Sequence, residues 1–370
     1  MSGIFAPRLA ALRAVLKAQG CAAMLVDHAE LLAWITGYTV SETMYRAAIV
    51  PLEGEPLFVL RALDAPPCRA AVWFADVTGY ADDEDPYAVV AEALRRRGLA
   101  DGRLGVDARS YGFTEHTATR LRAALPAAAF VDVGPVSDRL RAVKDAHEID
   151  LLRRASGIAD RVMAELAREV KAGMRVRDAA AIAAAASLRE GSDEGGPGPM
   201  LRARGDSEFL HAQGLGVVLG PGDVLHVELT PKVGNYSARL MRPILLGDCG
   251  DAERVTRRLT AIQARQIEAM VPGAPARDVD AVLRDAVLAE GLRPDYLNVT
   301  GYTLGLYGRT PRPSDFSLSF HPGSDWRLET GMVFHMYASA AGVAVSETVL
   351  VGSPPERLTR YGPGPIQLTA

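Results

Sequence analysis

The fold of this chain is decided by two related stretches, GMRVRDAAAIAAAASLREG at 173–191 and GAPARDVDAVLRDAVLAEG at 273–291. They are identical at 8 of 19 positions, and each is typical of a turn followed by a helix and a closing glycine. Helical units can resemble one another by chance, but the matching length and order favour an internal duplication. The repeat therefore predicts two structurally similar halves.

Each half continues into a β-strand with polar residues at matching places, GDVLHVE at 222–228 and GMVFHMY at 331–337. Because side chains alternate along a strand, one face of each strand carries polar groups: His226 and Glu228 in the first, His335 and Tyr337 in the second. If the halves pack about a pseudo-twofold axis, these faces meet in the interior, where unpaired polar groups are costly. The pattern indicates a functional site there.

Composition sets the class of protein. With 370 residues, 48% hydrophobic and 23% charged, the chain is long enough for two domains with hydrophobic cores. The net charge of -4 and the scattered basic residues argue against nucleic-acid binding. Three distant cysteines without zinc spacing indicate a reducing compartment, and no apolar run reaches about 18 residues. We therefore expect a cytoplasmic protein with no membrane association.

The first domain, 1–137, is predicted to be a self-contained α/β domain. Its predicted helices are 7–19, 87–97 and 115–124, and its predicted strands are 23–26, 47–50, 56–59 and 103–106. The second domain is predicted to span 138–370, with helices at 146–169, 177–189, 252–270 and 278–290. The segment 309–324, rich in Pro, Ser and Gly, is predicted to be a long loop, typical of a lid.

The second domain, at about 144–361, resembles the pita-bread superfamily of methionine aminopeptidase, aminopeptidase P, prolidase and creatinase. The motifs that carry the resemblance are KDAHEI at 144–149, His211 11 residues before Gly222-Asp223, Tyr236, Arg242, GMVF at 331–334 and ETVLV at 347–351. The first domain is similar to the creatinase-type N-terminal domain, with WITGY at 34–38. The resemblance implies an α/β N-terminal domain followed by an α+β pita-bread domain with an internal pseudo-twofold duplication.

The peptidases of that superfamily hold two metal ions with two Asp, one His and two Glu side chains, and carboxylates suit hard divalent ions. In this chain the corresponding places hold Glu228, Arg239, Tyr302, Tyr337 and Ser346. Only Glu228 is an ordinary metal ligand, and the guanidinium of Arg239 would repel cations at close range. We therefore predict no active-site metal and no cofactor.

Creatinase and ectoine hydrolase are the superfamily members that hydrolyse C–N bonds of small molecules without metal, and the local sequence resembles that branch. Tyr236 with Arg242 carries this likeness, as do FHM at 334–336 and SET at 346–348. His211 falls where creatinase has its catalytic histidine. Met241 and Tyr337 replace substrate-binding glutamates of creatinase, so creatine is not the expected substrate.

The candidate catalytic residues are His211, Glu228, Glu347 and His335. Histidine exchanges protons near neutral pH, and a carboxylate can orient or deprotonate water. The candidate substrate-binding residues are Arg239, Arg242, Tyr302, Tyr337, His226, Tyr236, Ser346 and Arg46. Alternatives stay open: a surface-loop position for His211, an ion pair of Glu228 with Arg239 or Arg242, and tyrosines that only fill the lost metal site.

The sequence thus predicts a metal-independent hydrolase of a C–N bond in a small, non-peptide, carboxylate-bearing substrate. A catalytically inactive binding or regulatory protein and a metal-dependent Xaa-Pro dipeptidase are the alternatives. The resemblance to creatinase-like dimers implies a homodimer, in which Tyr45 and Arg46 reach into a neighbouring subunit's pocket. Besides the small-molecule substrate and a second copy of the chain, no partner is predicted.

Overall fold

The computed structural model of the chain describes residues 2–39, 44–203, 209–212, 214–307 and 317–369. The chain divides into two compact units. The first consists of the residues up to Arg141 together with Leu306 and Tyr307, and the second begins at Ala142. Among the described residues, no helix combines the length and the apolar character that crossing a membrane requires.

The first unit is built on one mixed sheet. Its strands are β1 (Ala23–Val26), β2 (Ala47–Pro51), β3 (Leu57–Arg61), β4 (Val77–Tyr80), β5 (Arg103–Val106) and β6 (Ala129–Asp132). Its helices are α1 (Ser2–Ala18), α2 (Ala29–Thr36), α3 (Ala65–Ala71), α4 (Pro86–Arg96), α5 (Glu115–Ala124) and α6 (Val136–Arg141), with a 3-10 turn at Ala62–Asp64. The strands lie in the order β4-β3-β2-β1-β5-β6, and Leu25, Ile49 and Leu104 are buried in its core.

Most of the predicted elements of the first unit form within one or two residues of the predicted bounds. Helix α2 has no counterpart among the predictions, because all but one of its residues are buried and it therefore lacks a polar face. Strands β4 and β6 were not predicted because they lack the buried apolar run of β1 and β5: only the two ends of β4 are buried, and no residue of β6 is. These elements form because the surrounding sheet and core stabilise them.

The second unit is a sheet covered by helix pairs. Its helices are α7 (Ala146–Glu169), α8 (Val176–Arg189), α9 (Ala252–Glu268) and α10 (Ala276–Ala289). Its strands are β7 (Met200–Ala203), β8 (Val224–Leu229), β9 (Lys232–Val233), β10 (Tyr236–Ser237), β11 (Leu240–Leu246), β12 (Gly301–Thr303), β13 (Ser319–Phe320), β14 (Val333–Ala340), β15 (Val343–Leu350), β16 (Glu356–Arg357) and β17 (Ile366–Leu368). Helix α7 has its predicted bounds because Asp145 and Glu148 form a capping box at its start.

Backbone contacts confirm the internal duplication. Gly173 N donates to Leu219 O at 2.7 Å, and Gly273 N donates to Leu328 O at 2.7 Å, so the turn before each repeated helix binds an equivalent loop. Both glycines have a positive φ, 89° and 87°, a conformation that a side chain disfavours. The identical glycines of the repeat therefore mark the same turn in both halves.

The strand order of the second unit shows the same symmetry. Strands β12, β14, β15, β11, β8 and β7 are consecutive neighbours, and this order reads equivalently from both ends if β12 corresponds to β7, β14 to β8, and β15 to β11. The pseudo-twofold axis passes between β11 and β15, where Met241 lies directly opposite Ser346. The polar strand faces of the two halves consequently join into one continuous surface.

The predicted loop at 309–324 is wrong for two of its described residues. Its residues 309–316 lie outside the described part of the chain, whereas Ser319 and Phe320 form β13 and pair with Tyr302 and Gly301 of β12. A two-residue strand has no recognisable periodicity, and β12 supplies the hydrogen bonds that define it.

Candidate functional site

One face of the second unit's sheet, called the site face below, gathers most of the predicted site residues. Residues directly opposite each other on paired antiparallel strands share a face. Three such pairs follow one another across the sheet. Glu228 lies opposite Met241, Met241 lies opposite Ser346, and Ser346 lies opposite Tyr337. His226 and His335 lie two residues from Glu228 and Tyr337 and share the site face, and Tyr302 lies opposite His335.

Glu228 and Arg239 form a buried ion pair on the site face. Nη1 of Arg239 donates to Oε1 of Glu228, and the two residues are only 3% and 8% exposed. The Arg239 guanidinium also lies over the ring of Tyr302, 5.6 Å from its centroid. Thr348 fixes the backbone of Arg239 through two 2.9 Å hydrogen bonds. The ion-pair alternative for Glu228 is therefore realised, and its partner is Arg239.

His335 is enclosed by the two tyrosines of the site face. Its ring stacks on Tyr337 at 5.2 Å and meets Tyr302 edge-on at 5.0 Å. Neither ring nitrogen has a hydrogen-bond partner among the described residues, and the residue is fully buried. Burial, aided by the positive charge of Arg239, lowers the pKa of His335 well below its usual value. His335 is therefore a neutral imidazole.

His226, the counterpart of His335 in the other half, has the same character. It is fully buried, its ring meets Phe209 edge-on at 5.2 Å, and both nitrogens lack hydrogen-bond partners in the described part of the chain. Burial lowers the pKa of His226 to about 3. Ser346, at the pseudo-twofold axis, is also fully buried, and its Oγ has no described partner. Uncharged polar groups without described partners thus collect around the axis.

Arg242 and Glu347 do not belong to the site face, which corrects both predictions. They follow Met241 and Ser346 directly, so strand alternation points them to the opposite side of the sheet. Nη2 of Arg242 donates to Oε1 of Glu347 at 2.6 Å and to the carbonyl of Tyr361 at 3.1 Å. Nη1 donates to the carbonyl of Ser346, and Nε donates to the carbonyl of Gly362. This ion pair holds the segment after β16 to the sheet. Ser346 and Glu347 are adjacent in one strand. The sequence alone therefore indicated that their side chains point to opposite faces of the sheet and cannot belong to one site.

Tyr236 contacts a helix of the second unit, and Arg46 belongs to the first unit. The Tyr236 hydroxyl donates to Oε1 of Glu148 in α7 at 2.8 Å. Tyr236 therefore anchors helix α7 and does not bind substrate on the site face. Arg46 is buried in the first unit, where its charge faces Asp27. Burial raises the pKa of Asp27 to about 6, opposed by a hydrogen bond from Ser110 and by Arg46. The reach of Arg46 into a neighbouring subunit stays a prediction.

His211 is exposed and lies in a turn two residues after Phe209. Residues 204–208 and 213 beside it lie outside the described chain, and no hydrogen bond joins His211 to a described residue of the site face. Its catalytic role therefore stays a prediction. Its neighbour Phe209 packs with Met241, Tyr302 and Tyr337, which keeps this turn next to the site face.

The structure adds Asn298 to the site. Its Nδ2 donates to the Tyr337 hydroxyl at 3.2 Å, and its Oδ1 accepts from Nη1 of Arg293 at 3.0 Å. Sequence reasoning missed this residue, because it lies in the irregular segment between α10 and β12, where no periodicity indicates direction. The only available signal was a polar residue three positions before Gly301.

The fold and the site define a protein with a creatinase-type N-terminal domain and a duplicated pita-bread domain, whose site face retains one carboxylate. The first unit matches the Creatinase/Prolidase N-terminal domain over residues 8–143. The match to metallopeptidase family M24 covers residues 150–353, more than half of the chain. The chain belongs to metallopeptidase family M24, a family of hydrolases, and the predicted resemblance to the pita-bread superfamily is confirmed.

Similar proteins include hydrolases of two kinds. Ectoine hydrolase of Halomonas elongata is 24% identical over 94% of this chain and 92% of its own. An Xaa-Pro dipeptidase of Lactobacillus helveticus is 24% identical over 82% of this chain and 81% of its own. The solved structure of an Xaa-Pro dipeptidase from Bacillus anthracis matches with a TM-score of 0.84 at 17% identity, covering 98% of this chain and 99% of that one. This structural match shows the fold.

The side chains present do not fit the pair of divalent metals that the name of the family implies. Among the described residues, no three His, Cys, Asp or Glu side chains are arranged to hold a metal ion. On the site face, the carboxylate of Glu228 is bound by a guanidinium, and Tyr337 and Ser346 are neutral groups without a carboxylate. A cation placed beside Glu228 would meet the fixed charge of Arg239.

Proposed function

We propose that this protein is a metal-independent hydrolase that cleaves a C–N bond in a small, non-peptide substrate. The observation that carries the proposal is the composition of the site face: one carboxylate held by Arg239, surrounded by neutral protic groups, in place of a set of metal ligands. Such groups can exchange protons with water and substrate, but they cannot clamp two cations. The similarity to ectoine hydrolase supports a substrate of this kind.

In the proposed reaction, Glu228 is the base. The hydrogen bond from Arg239 fixes the orientation of its carboxylate, which removes a proton from the attacking water. The oxygen of that water bonds to the substrate carbon, the C–N bond breaks, and the leaving nitrogen takes up a proton, for which His211 is the candidate donor. Glu347 and Arg242 have no part in this scheme, because they face the other side of the sheet.

The substrate carboxylate expected from the sequence has weaker support. Arg242 is bound to Glu347, and the charge of Arg239 is already compensated by Glu228. A substrate carboxylate would compete with Glu228 for Arg239. We therefore propose testing each substrate as the free acid and as its carboxamide, with the larger kcat/KM for the acid supporting the carboxylate.

Hydrolysis is expected to survive removal of metal. Purified protein, dialysed against EDTA and 1,10-phenanthroline, is assayed for amine release from N-acylamino acids, cyclic amidines and ureido acids, and from Xaa-Pro dipeptides with and without Mn²⁺. Metal content is measured by mass spectrometry on the same sample. We expect unchanged turnover of a non-peptide substrate and substoichiometric metal. Stoichiometric metal with Mn²⁺-stimulated cleavage of Xaa-Pro dipeptides would show a dipeptidase instead.

Replacement of Glu228 by Gln is expected to lower kcat by at least about 100-fold, because a general base is lost while shape is retained. The matched control is Glu165→Gln, which makes the same change at a carboxylate of helix α7 that is paired with Arg189. Circular dichroism and thermal unfolding show whether both variants are folded. A folded Glu228→Gln variant with wild-type kcat would remove Glu228 from the mechanism.

Replacement of His211 by Ala is expected to abolish the bell-shaped pH dependence of kcat/KM, because one of its two limbs reports the histidine. His116→Ala, which removes another exposed histidine, in the first unit, is the control. Full activity with an unchanged pH profile in His211→Ala would assign His211 to the surface loop.

A binding protein without catalysis is the second candidate, and the closure of the site face favours it. Tyr302 and Tyr337 cover His335, which has no solvent-exposed surface. A thermal-shift screen of the same compounds followed by product analysis separates the two candidates. Ligands that stabilise the protein without being converted would support the binding protein.

A further inference from the structure

Thr348 lies where strand β15 changes its neighbour on one side. Before Thr348 the strand pairs with β11 on this side, and after Thr348 it pairs with β16. The carbonyl of Thr348 accepts from Leu358 N at 2.8 Å, and its own N–H donates to Oγ1 of Thr359 at 3.1 Å. The backbone of Thr348 is therefore bound by the segment that follows β16.

The side chain of Thr348 pairs with Arg239 in place of the backbone. Met241 lies opposite Ser346, so Arg239 and Thr348, two residues away on each chain, occupy the next matching positions of the same antiparallel register. The hydroxyl of Thr348 accepts from Arg239 N at 2.9 Å and donates to Arg239 O at 2.9 Å. Because a threonine hydroxyl both donates and accepts, one atom makes the two bonds that a strand residue would exchange through its backbone.

These two bonds hold the part of the chain that carries Arg239. Ala238 and Arg239 lie between β10 and β11, outside both strands. Thr348 is fully buried, and loss of a hydrogen bond to a buried backbone group is costly. Threonine is also stiff about χ1, because it is β-branched. The backbone of Arg239 is therefore attached to β15 by a short and rigid link.

Arg239 in turn orients the carboxylate of Glu228. Its Nη1 donates to Oε1 of Glu228, and both residues are buried. The stem of Glu228 is confined by the backbone of Gly198, where a Cβ atom would lie only 2.8 Å from Cγ of Glu228. With the stem confined, the guanidinium sets the rotation of the carboxylate. A displacement of the Arg239 backbone would consequently change the orientation of the carboxylate.

We propose that Thr348 is a positioning residue, which holds Arg239 so that the Glu228 carboxylate keeps the orientation in which it removes a proton from water. This rests on the proposed hydrolase function, in which Glu228 is the base. Rates depend steeply on such geometry, and a misplacement of about 1 Å can cost about 100-fold. Thr348 contacts neither the water nor the substrate in this scheme, so its loss acts on kcat through Glu228.

The test compares Thr348→Val, which keeps the shape but lacks the hydroxyl, with Thr348→Ser, which keeps the hydroxyl. Thr36→Val in the first unit is the matched control, because Thr36 is also fully buried and its hydroxyl donates to Leu32 O at 2.8 Å and accepts from Tyr38 N at 3.1 Å. With N-acetylglycine and N-carbamoylglycine as substrates, Thr348→Val is expected to lower kcat by about 10- to 100-fold with KM changed less than about threefold. Thr348→Ser and Thr36→Val are expected to keep kcat within about threefold of wild type.

Two further variants separate positioning from a general loss of structure. In the Glu228→Gln background, Thr348→Val is expected to change kcat by less than about twofold, because no base remains to be oriented. Circular dichroism shows which variants are folded, and Thr348→Ala replaces Thr348→Val if the valine variant is not, with a loss in kcat of at least about 10-fold expected. Wild-type kcat in the folded variant, or an equal loss in the Glu228→Gln background, would overturn the inference.

A second readout needs no substrate. In ¹⁵N-arginine-labelled protein, the Nη signals that are absent from Arg239→Lys belong to Arg239, and a guanidinium held in an ion pair turns slowly enough to give separate Nη1 and Nη2 signals. These signals are expected to merge in Thr348→Val and to stay separate in Thr348→Ser and Thr36→Val. Separate signals in Thr348→Val would overturn the inference. If wild-type protein hydrolyses neither substrate, the proposed function fails, whereas merged signals in Thr348→Val still support the link from Thr348 to Arg239.

Discussion

Replacement of Arg242 by Met is expected to lower the free energy of unfolding by about 3–5 kcal/mol, because it leaves the carboxylate of Glu347 buried without its cation. Arg242 is 1% exposed, and its guanidinium binds Glu347 and the carbonyls of Ser346, Tyr361 and Gly362. The variant also removes the hydrogen bonds to Tyr361 and Gly362, which follow β16. Urea unfolding followed by circular dichroism at pH 7.5 measures the change.

Two further variants serve as controls for this measurement. Arg189→Met removes an exposed ion pair with Glu165 and is expected to cost less than about 1 kcal/mol. The double variant Arg242→Met/Glu347→Leu removes both buried charges and is expected to regain part of the lost stability. An Arg242→Met variant with wild-type stability and impaired substrate binding would restore Arg242 to the site, as the sequence had suggested.

Replacement of His226 by Leu is expected to make the protein less sensitive to acid. The folded-state pKa of about 3 lies below the usual histidine pKa of 6.5, so the unfolded chain binds the proton more readily. The stability that neutral His226 contributes is complete above pH 6.5 and is lost as the pH falls toward 3. Between pH 7.5 and 5 this loss amounts to about 2 kcal/mol for one such histidine. Over this pH range, the free energy of unfolding of the His226→Leu variant is therefore expected to fall by about 2 kcal/mol less than that of wild type.

The measurement is urea unfolding of both proteins at several pH values between 5 and 7.5. The difference between them isolates His226, because Asp27 contributes to both with the opposite sign: its raised pKa of about 6 makes the folded state bind protons more readily than the unfolded chain. His116→Leu, at an exposed position, is the control and is expected to leave the pH dependence unchanged. If the free energies of unfolding of wild type and His226→Leu changed equally with pH, the folded-state pKa of His226 would equal its ordinary value. The residue would then not be buried as described. His335 is expected to act in the same direction.

Much of the fold was predictable because its signals are local. Helix α7 has its predicted bounds, since a capping box and an amphipathic stripe are both encoded within one segment. The repeat predicted two equivalent halves, and the equivalent turns at Gly173 and Gly273 confirm them. Helix α2 was not predictable, because a helix buried on nearly all sides has no periodic pattern.

The candidate site was predictable only in part. Alternation placed His226 with Glu228 and His335 with Tyr337, and the sheet joins those faces as expected. The same alternation separates Ser346 from Glu347, a consequence that grouping them by family resemblance overlooked. Asn298 was beyond prediction, because its direction depends on hydrogen bonds with Arg293 of the same irregular segment, Arg284 of α10 and Tyr337 of β14.

The sequence by itself determined that the chain is duplicated, which side chains share a strand face, and that the places of metal ligands hold an arginine, two tyrosines and a serine. These properties depend on residue order and on the two-residue period of a strand, which are local. Only the tertiary structure decided that Arg239 binds Glu228, that Arg242 binds Glu347 on the other side, and that both histidines are neutral. Ion pairing and burial depend on strand register and on neighbours distant in sequence, and no local pattern specifies them.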